Sequence, residues 1–122
     1  MIILWIDDDS DIVEVITMLL EGDGFNVISS NNSSLLDQID DYKPGIIFID
    51  YLLDSENGGD ICMSLKADPN FNVPVVLTSA IPNLEIVARE CKADLYLPKP
   101  FDLDLLTGLI VKVLSSKSLS IE

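Results

Sequence analysis

Histidine is absent from all 122 residues, which excludes imidazole triads, the usual zinc-hydrolase ligand sets and any phosphohistidine on this chain. Histidine chemistry, if there is any, must come from a partner. Cysteine is scarce: Cys62 and Cys91 lie far apart in helix-like segments, without CxxC spacing, and both read as small core residues rather than metal ligands. Basic residues number only seven against 21 acidic ones, for a net charge of −14. Such a surface repels a phosphate backbone, so direct nucleic-acid binding is not expected. The N-terminus carries no basic stretch followed by an apolar segment and a cleavage site, and no apolar run approaches a membrane span. No membrane contact and a cytoplasmic location are therefore expected.

The length fits one domain with one core. Short apolar runs rich in β-branched residues begin near Ile2, Gly24, Ile46, Val73 and Asp94, and segments with helical apolar spacing lie between them. Ile46-Ile47-Phe48-Ile49, Ile2-Ile3-Leu4-Trp5-Ile6 and Val75-Val76-Leu77 lack polar alternation, which is the mark of strands buried on both faces. Ile12, Val13, Ile16, Leu19 and Leu20 form one helical stripe, and Leu106, Leu109, Ile110 and Val113 another. Leu35, Leu36 and Ile39 suggest a short second helix, Ile61 to Leu65 a third and Leu84 to Val87 a fourth, with Asp102 placed to cap the fifth. Asn31-Asn32-Ser33-Ser34 reads as turn and cap chemistry. The prolines fall at element edges, and Ser115-Ser116-Lys117-Ser118 marks residues from about 115 to 122 as a tail or the start of a linker.

Five strand-then-helix units imply an α/β fold: a flavodoxin-like, doubly wound, five-stranded parallel sheet of order 2-1-3-4-5 with five helices. Ligands in such folds bind beyond the carboxyl ends of the strands, near the switch point between the first and third. Asp7, Asp8 and Asp9 follow the first strand, Asp50 ends the third, Thr78 and Ser79 end the fourth, and Lys99 follows the fifth. Asp9 and Asp11 read as helix-start residues. Asp7, Asp8 and Asp50 would meet and repel unless a cation offsets them, and an all-oxygen donor set points to Mg²⁺.

Four motifs then carry a resemblance. Ile3-Leu4-Trp5-Ile6-Asp7-Asp8-Asp9 resembles the first strand and acidic pair of response-regulator receiver domains. Ile46-Ile47-Phe48-Ile49-Asp50 resembles their phosphoacceptor strand, Pro74-Val75-Val76-Leu77-Thr78-Ser79-Ala80 their hydroxyl-bearing strand, and Asp94-Leu95-Tyr96-Leu97-Pro98-Lys99-Pro100-Phe101 their lysine segment. All four stand in the family's order.

The resemblance implies a phosphoprotein of two-component or phosphorelay signal transduction. Asp50 would accept a phosphoryl group from a histidine kinase or a histidine phosphotransfer protein. The implied metal set is Asp8, Asp50 and the backbone carbonyl of Leu52, with Asp7 acting through water. Lys99 would neutralise Asp50 and later the phosphoryl group, across a cis Lys99–Pro100 peptide. Ser79 and Tyr96 would form the switch, passing a shift to the face of the fourth helix, fifth strand and fifth helix. A downstream target, an output domain or a homodimer would use that face. The family's machinery catalyses its own phosphorylation and dephosphorylation and is not an enzyme in the ordinary sense. Leu52 and Ile81, both apolar, sit where hydrolysis is often tuned, which predicts a slow loss of phosphate.

Two positions depart from the family pattern: Asp54 replaces a common proline, which predicts a looser loop, and Lys92 replaces a common glycine. Gly58 matches. Two alternatives compete with this reading. A haloacid-dehalogenase-like, Mg²⁺-dependent phosphohydrolase would need an aspartate where Leu52 stands, and a degenerate receiver that only binds partners would not need Asp7, Asp8, Asp50, Ser79 and Lys99 together.

Overall fold

A computed structural model describes the backbone of residues 1–121 and the side chains of residues 1–115. In chain order the elements are β1 (Ile2–Ile6), α1 (Ser10–Gly22), β2 (Asn26–Ser30), a 3₁₀ segment (Ser33–Gln38), α2 (Ile39–Tyr42), β3 (Ile46–Asp50), α3 (Gly58–Lys66), β4 (Val75–Ser79), α4 (Leu84–Glu90), β5 (Leu95–Pro98) and α5 (Leu103–Ile121). All strand pairings are parallel, in the order β2-β1-β3-β4-β5. This is the order expected from the alternation of apolar runs and helical stripes. The tail expected from about residue 115 falls, past Ser115, outside the described side chains.

Strand geometry explains why the central runs show no polar alternation. Successive side chains point to opposite faces, and here both faces are covered. Ile3, Trp5, Phe48, Val76 and Leu97 pack against Ile16 and Leu20 of α1 and Leu106, Ile110 and Val113 of α5. Leu4, Ile6, Ile47, Ile49 and Val75 pack on the other face with Cys62, Leu35, Leu36, Ile39, Ile61 and Leu65. Burying one such aliphatic or aromatic side chain contributes about 1.5–3 kcal/mol, so these two layers hold the strand ends in place. Cys62 and Cys91 are buried and unpaired. Burial pushes the Cys62 thiol up to about 11, leaving it protonated and inert at neutral pH.

The short second helix expected here is mostly 3₁₀. Only Ile39–Tyr42 is α-helical, preceded by the 3₁₀ turns, because Leu35, Leu36 and Ile39 supply a core contact too short for a full amphipathic stripe. The Asn32 side chain caps the 3₁₀ segment by accepting the Ser34 N–H at 2.9 Å. Asp9 caps α1 by accepting from Asp11 and Ile12, and Asp102 accepts the Asp104 N–H at 2.7 Å at the start of α5.

Helices α1 and α4 end alike. The Gly24 N–H reaches the Glu21 carbonyl and the Phe25 N–H that of Leu20. Lys92 and Ala93 make the same two bonds, to Arg89 and Ala88. This Schellman arrangement needs a left-handed residue, which is Gly24 at φ 97° in one case and Lys92 at φ 63° in the other.

Candidate functional site

The carboxyl ends of β1, β3 and β4 gather the residues singled out in the sequence. Asp7 is almost fully buried, and its backbone continues the β1–β2 pairing through an N–H bond to the Ser30 carbonyl at 3.0 Å. Asp50 closes β3 opposite Thr78 of β4. Lys99 reaches them from the loop after β5, anchored by its own N–H on the Ser79 carbonyl at 2.8 Å. The Lys99–Pro100 peptide is cis.

One ammonium serves two carboxylates. Lys99 Nζ donates to Asp7 Oδ2 and to Asp50 Oδ2, each at 2.8 Å. The pairing with Asp50 was anticipated; that with Asp7 was not. Asp7 is saturated, since Oδ1 accepts the Asp9 N–H at 3.0 Å and Oδ2 also takes the Trp5 indole N–H at 3.4 Å. Trp5 in turn stacks on Phe48 with ring centroids 4.2 Å apart. On Asp50, Oδ1 accepts the Leu52 N–H at 3.1 Å. Burial holds the Asp50 carboxyl above its ordinary range although Lys99 pulls it down. For Lys99, burial alone lowers the ammonium, and the bonds to Asp50 and Asp7 outweigh it, leaving it above an ordinary lysine.

Asp8 stands apart from the ammonium. Its Oδ2 accepts the Asp54 N–H at 2.7 Å, while Oδ1 is buried with no hydrogen-bond partner. Burial and the neighbouring Asp54 and Asp50 carboxylates push its pKa up. A buried carboxylate oxygen without a donor is costly, and a cation is what such an atom accommodates. Among the described residues no three acidic or thiol side chains close into a cage around a metal. Mg²⁺ needs no cage, because it keeps several waters and takes one or two carboxylates. The donor set fits it on that footing.

The loop from β3 to α3, where Asp54 replaces the common proline, is tied at several points. Besides the Asp54–Asp8 bond, Glu56 accepts both the N–H and the hydroxyl of Ser33, and the antiparallel bridge between Leu52 and Asn57 closes the turn. Gly58 begins α3 against the backbone of Asp50, where a Cβ would fall 2.1 Å from the Asp50 carbonyl oxygen. The requirement for glycine there is steric.

Ser79 is buried, its Oγ accepting the Ile81 N–H at 3.3 Å, and the Lys99 backbone ties it to the site. Tyr96 is not drawn in; its side chain is exposed. Sequence reasoning missed two participants. Trp5 was detectable, since two residues before Asp7 in a strand means the same face. The Asp54 amide depends on loop path, which leaves no periodic signal; Thr78, already placed at the end of the fourth strand, has its hydroxyl buried without a partner.

Comparison with known proteins agrees with this geometry. The family model described as "Response regulator receiver domain" matches residues 3–111. The chain is 35% identical over 102 residues to the DNA-binding response regulator MtrA of Mycolicibacterium smegmatis, covering 81% of this chain and 44% of that protein. It is 34% identical to the transcriptional regulatory protein CpxR of Escherichia coli, covering 82% and 43%. The chain thus spans less than half the length of these relatives. Among solved structures, the signal receiver domain of a signal transduction histidine kinase from Syntrophus aciditrophicus superposes with a TM-score of 0.85 at 25% identity, covering 94% of this chain and 90% of the other. A receiver domain from Bermanella marisrubri gives 0.83 at 26% identity, covering 93% and 97%. The phosphohydrolase alternative draws no support from these matches. With the family model matched over residues 3–111, these relatives and the shared strand order, the chain belongs to the response regulator receiver domain family.

Proposed function

We propose that Asp50 is the phosphoryl acceptor of this receiver, charged by a phosphohistidine on a histidine kinase or histidine phosphotransfer protein. The observation that carries this reading is the Lys99 ammonium at 2.8 Å from Asp50 Oδ2, at the carboxyl end of a fully buried strand. Asp8 and Asp50, with the Leu52 carbonyl, would hold Mg²⁺, and Asp7 would act on it through water. When bound, the ion neutralises charge on the phosphoryl oxygens. The residues of the chain do the rest. The Leu52 amide and Lys99 fix the two oxygens of Asp50, and the ammonium offsets negative charge as it builds.

Ser79 and Tyr96 form the proposed switch. A new anion on Asp50 offers the Ser79 hydroxyl a stronger acceptor, and Tyr96, now exposed, follows inward. The altered surface comprises α4, β5 and α5, where Ile86, Tyr96 and Val111 are exposed. A downstream protein, an output domain or a second copy of the chain would read it. The domain itself, at −14, is unsuited to DNA, and among the described residues no helix is long and apolar enough to cross a membrane. We place its work in the cytoplasm, where kinase and receiver meet.

The test is labelling by a small phosphodonor with and without Mg²⁺, in the wild type and in Asp50→Asn. A single Mg²⁺-dependent acyl phosphate lost in Asp50→Asn is expected. Equal labelling of both proteins would refute the assignment, and no labelling of either would favour a degenerate receiver.

A further inference from the structure

Asp8 differs from Asp7 and Asp50 in how it is held. Lys99 bonds the other two and leaves Asp8 to a single anchor, the Asp54 backbone N–H at 2.7 Å from Oδ2. Its second oxygen is buried and unpartnered. A carboxylate fixed at one oxygen by a short, charge-assisted bond has the direction of its other oxygen set as well.

The anchor is itself held. Residues 51–57 cross from the end of β3 over the end of β1 to the turn after β2. They are tied at Tyr51 by the Gly58 N–H, at Asp54 by Asp8 and at Glu56 by both donors of Ser33. The amide of residue 54 is therefore presented by a loop whose path is fixed on both sides of it.

We propose that the backbone N–H of Asp54 is a positioning group for the metal site, turning Asp8 Oδ1 toward Mg²⁺. This rests on the reading of Asp8 as a metal ligand. The role belongs to the amide rather than to the Asp54 side chain, so most residues at this position would serve. Proline, the residue common at this position in the family, has no N–H to donate, so the bond from residue 54 is a feature of this chain that relatives with proline there lack. Carboxylates that ligate metals are commonly held by such outer bonds, and losing one costs roughly 10–100-fold in affinity.

The experiment compares Mg²⁺ affinity by calorimetry in Asp54→Ala and Asp54→Pro. Both variants lose the carboxylate, and only the second loses the N–H. Affinity about ten-fold weaker in Asp54→Pro than in Asp54→Ala is expected, whereas equal or tighter binding by Asp54→Pro overturns the proposal. A second measurement needs no variant at residue 54. Hydrogen exchange at the Asp54 amide should stay slow when Mg²⁺ saturates the wild type. Faster exchange would mean that the bond and the metal compete, and would also overturn the proposal. Asp8→Asn separates the two levels. Wild-type affinity in Asp8→Asn defeats the ligand assignment and the proposal with it, while weak binding there combined with equal affinity in the two residue-54 variants defeats the amide role alone.

Discussion

Replacing Lys99 by methionine keeps a similar apolar stem and removes the one ammonium that Asp7 and Asp50 share. Both carboxylates are largely buried, their side chains 1% and 13% exposed, and Lys99 itself is 14% exposed, so solvent screening offers little relief. Breaking a buried pair by removing one partner costs about 3–5 kcal/mol. The variant has an escape that caps the loss, namely protonation of one carboxylate. Starting from an ordinary aspartate pKa near 3.9, that costs about 4 kcal/mol at pH 7 and about 1.5 kcal/mol at pH 5, at about 1.4 kcal/mol per unit.

The sign follows from linkage. In the variant the folded-state pKa of the pair is raised above its unfolded value, so the folded protein binds the extra proton and loses stability as pH rises through that window. Urea denaturation without divalent cation should show Lys99→Met less stable than wild type by about 4 kcal/mol near pH 7, with the gap closing to about 1.5 kcal/mol near pH 5. Saturating Mg²⁺ should narrow the gap at neutral pH by supplying the missing positive charge. A gap below about 1 kcal/mol, or one that does not change between the two pH values, would refute the argument that the ammonium is what makes these carboxylates tolerable.

Gly58→Ala places a methyl 2.1 Å from the Asp50 carbonyl oxygen. The variant should lose about 1–3 kcal/mol in denaturation and take up phosphoryl more slowly as the end of β3 is pushed aside. Lys92→Gly should gain about 0.5–1 kcal/mol, since the left-handed backbone that closes α4 no longer carries a Cβ, and its Mg²⁺ affinity should match wild type. The acyl phosphate should decay slowly, because the side chains of Leu52 and Ile81 have no polar atom to orient water. Decay followed after removal of the phosphodonor checks this, and a half-life of seconds in the wild type would count against it.

Much of the fold was legible because the central strands are buried on both faces and the long helices on one. The runs at Ile3–Ile6 and Ile46–Ile49 and the stripes of α1 and α5 are direct imprints of that layering. The 3₁₀ segment at Ser33 was not legible as such, since three apolar residues over five positions suit several turn geometries. In the site, the acidic pair, Asp50 and Lys99 announced themselves as charges adjoining buried strands. The bonds from Lys99 to Asp7, from Asp54 to Asp8 and from Ser33 to Glu56 link residues 92, 46 and 23 positions apart. They are set by loop conformation, to which no periodicity corresponds. The bonds that tie the loop at Asp54 and Glu56 were invisible for the same reason.

Trp5 is the only tryptophan in the chain, and its indole N–H rests on the carboxylate that Lys99 also holds. If Asp50 is phosphorylated as proposed and the ammonium turns to the new anion, its hold on Asp7 would weaken and the charge beside the indole would change. The emission of the single, buried tryptophan would then follow the occupancy of the site. On that reading the protein would carry its own optical gauge, placed beneath the site and shielded from solvent, by which cation binding and phosphorylation could each be followed without attaching a label.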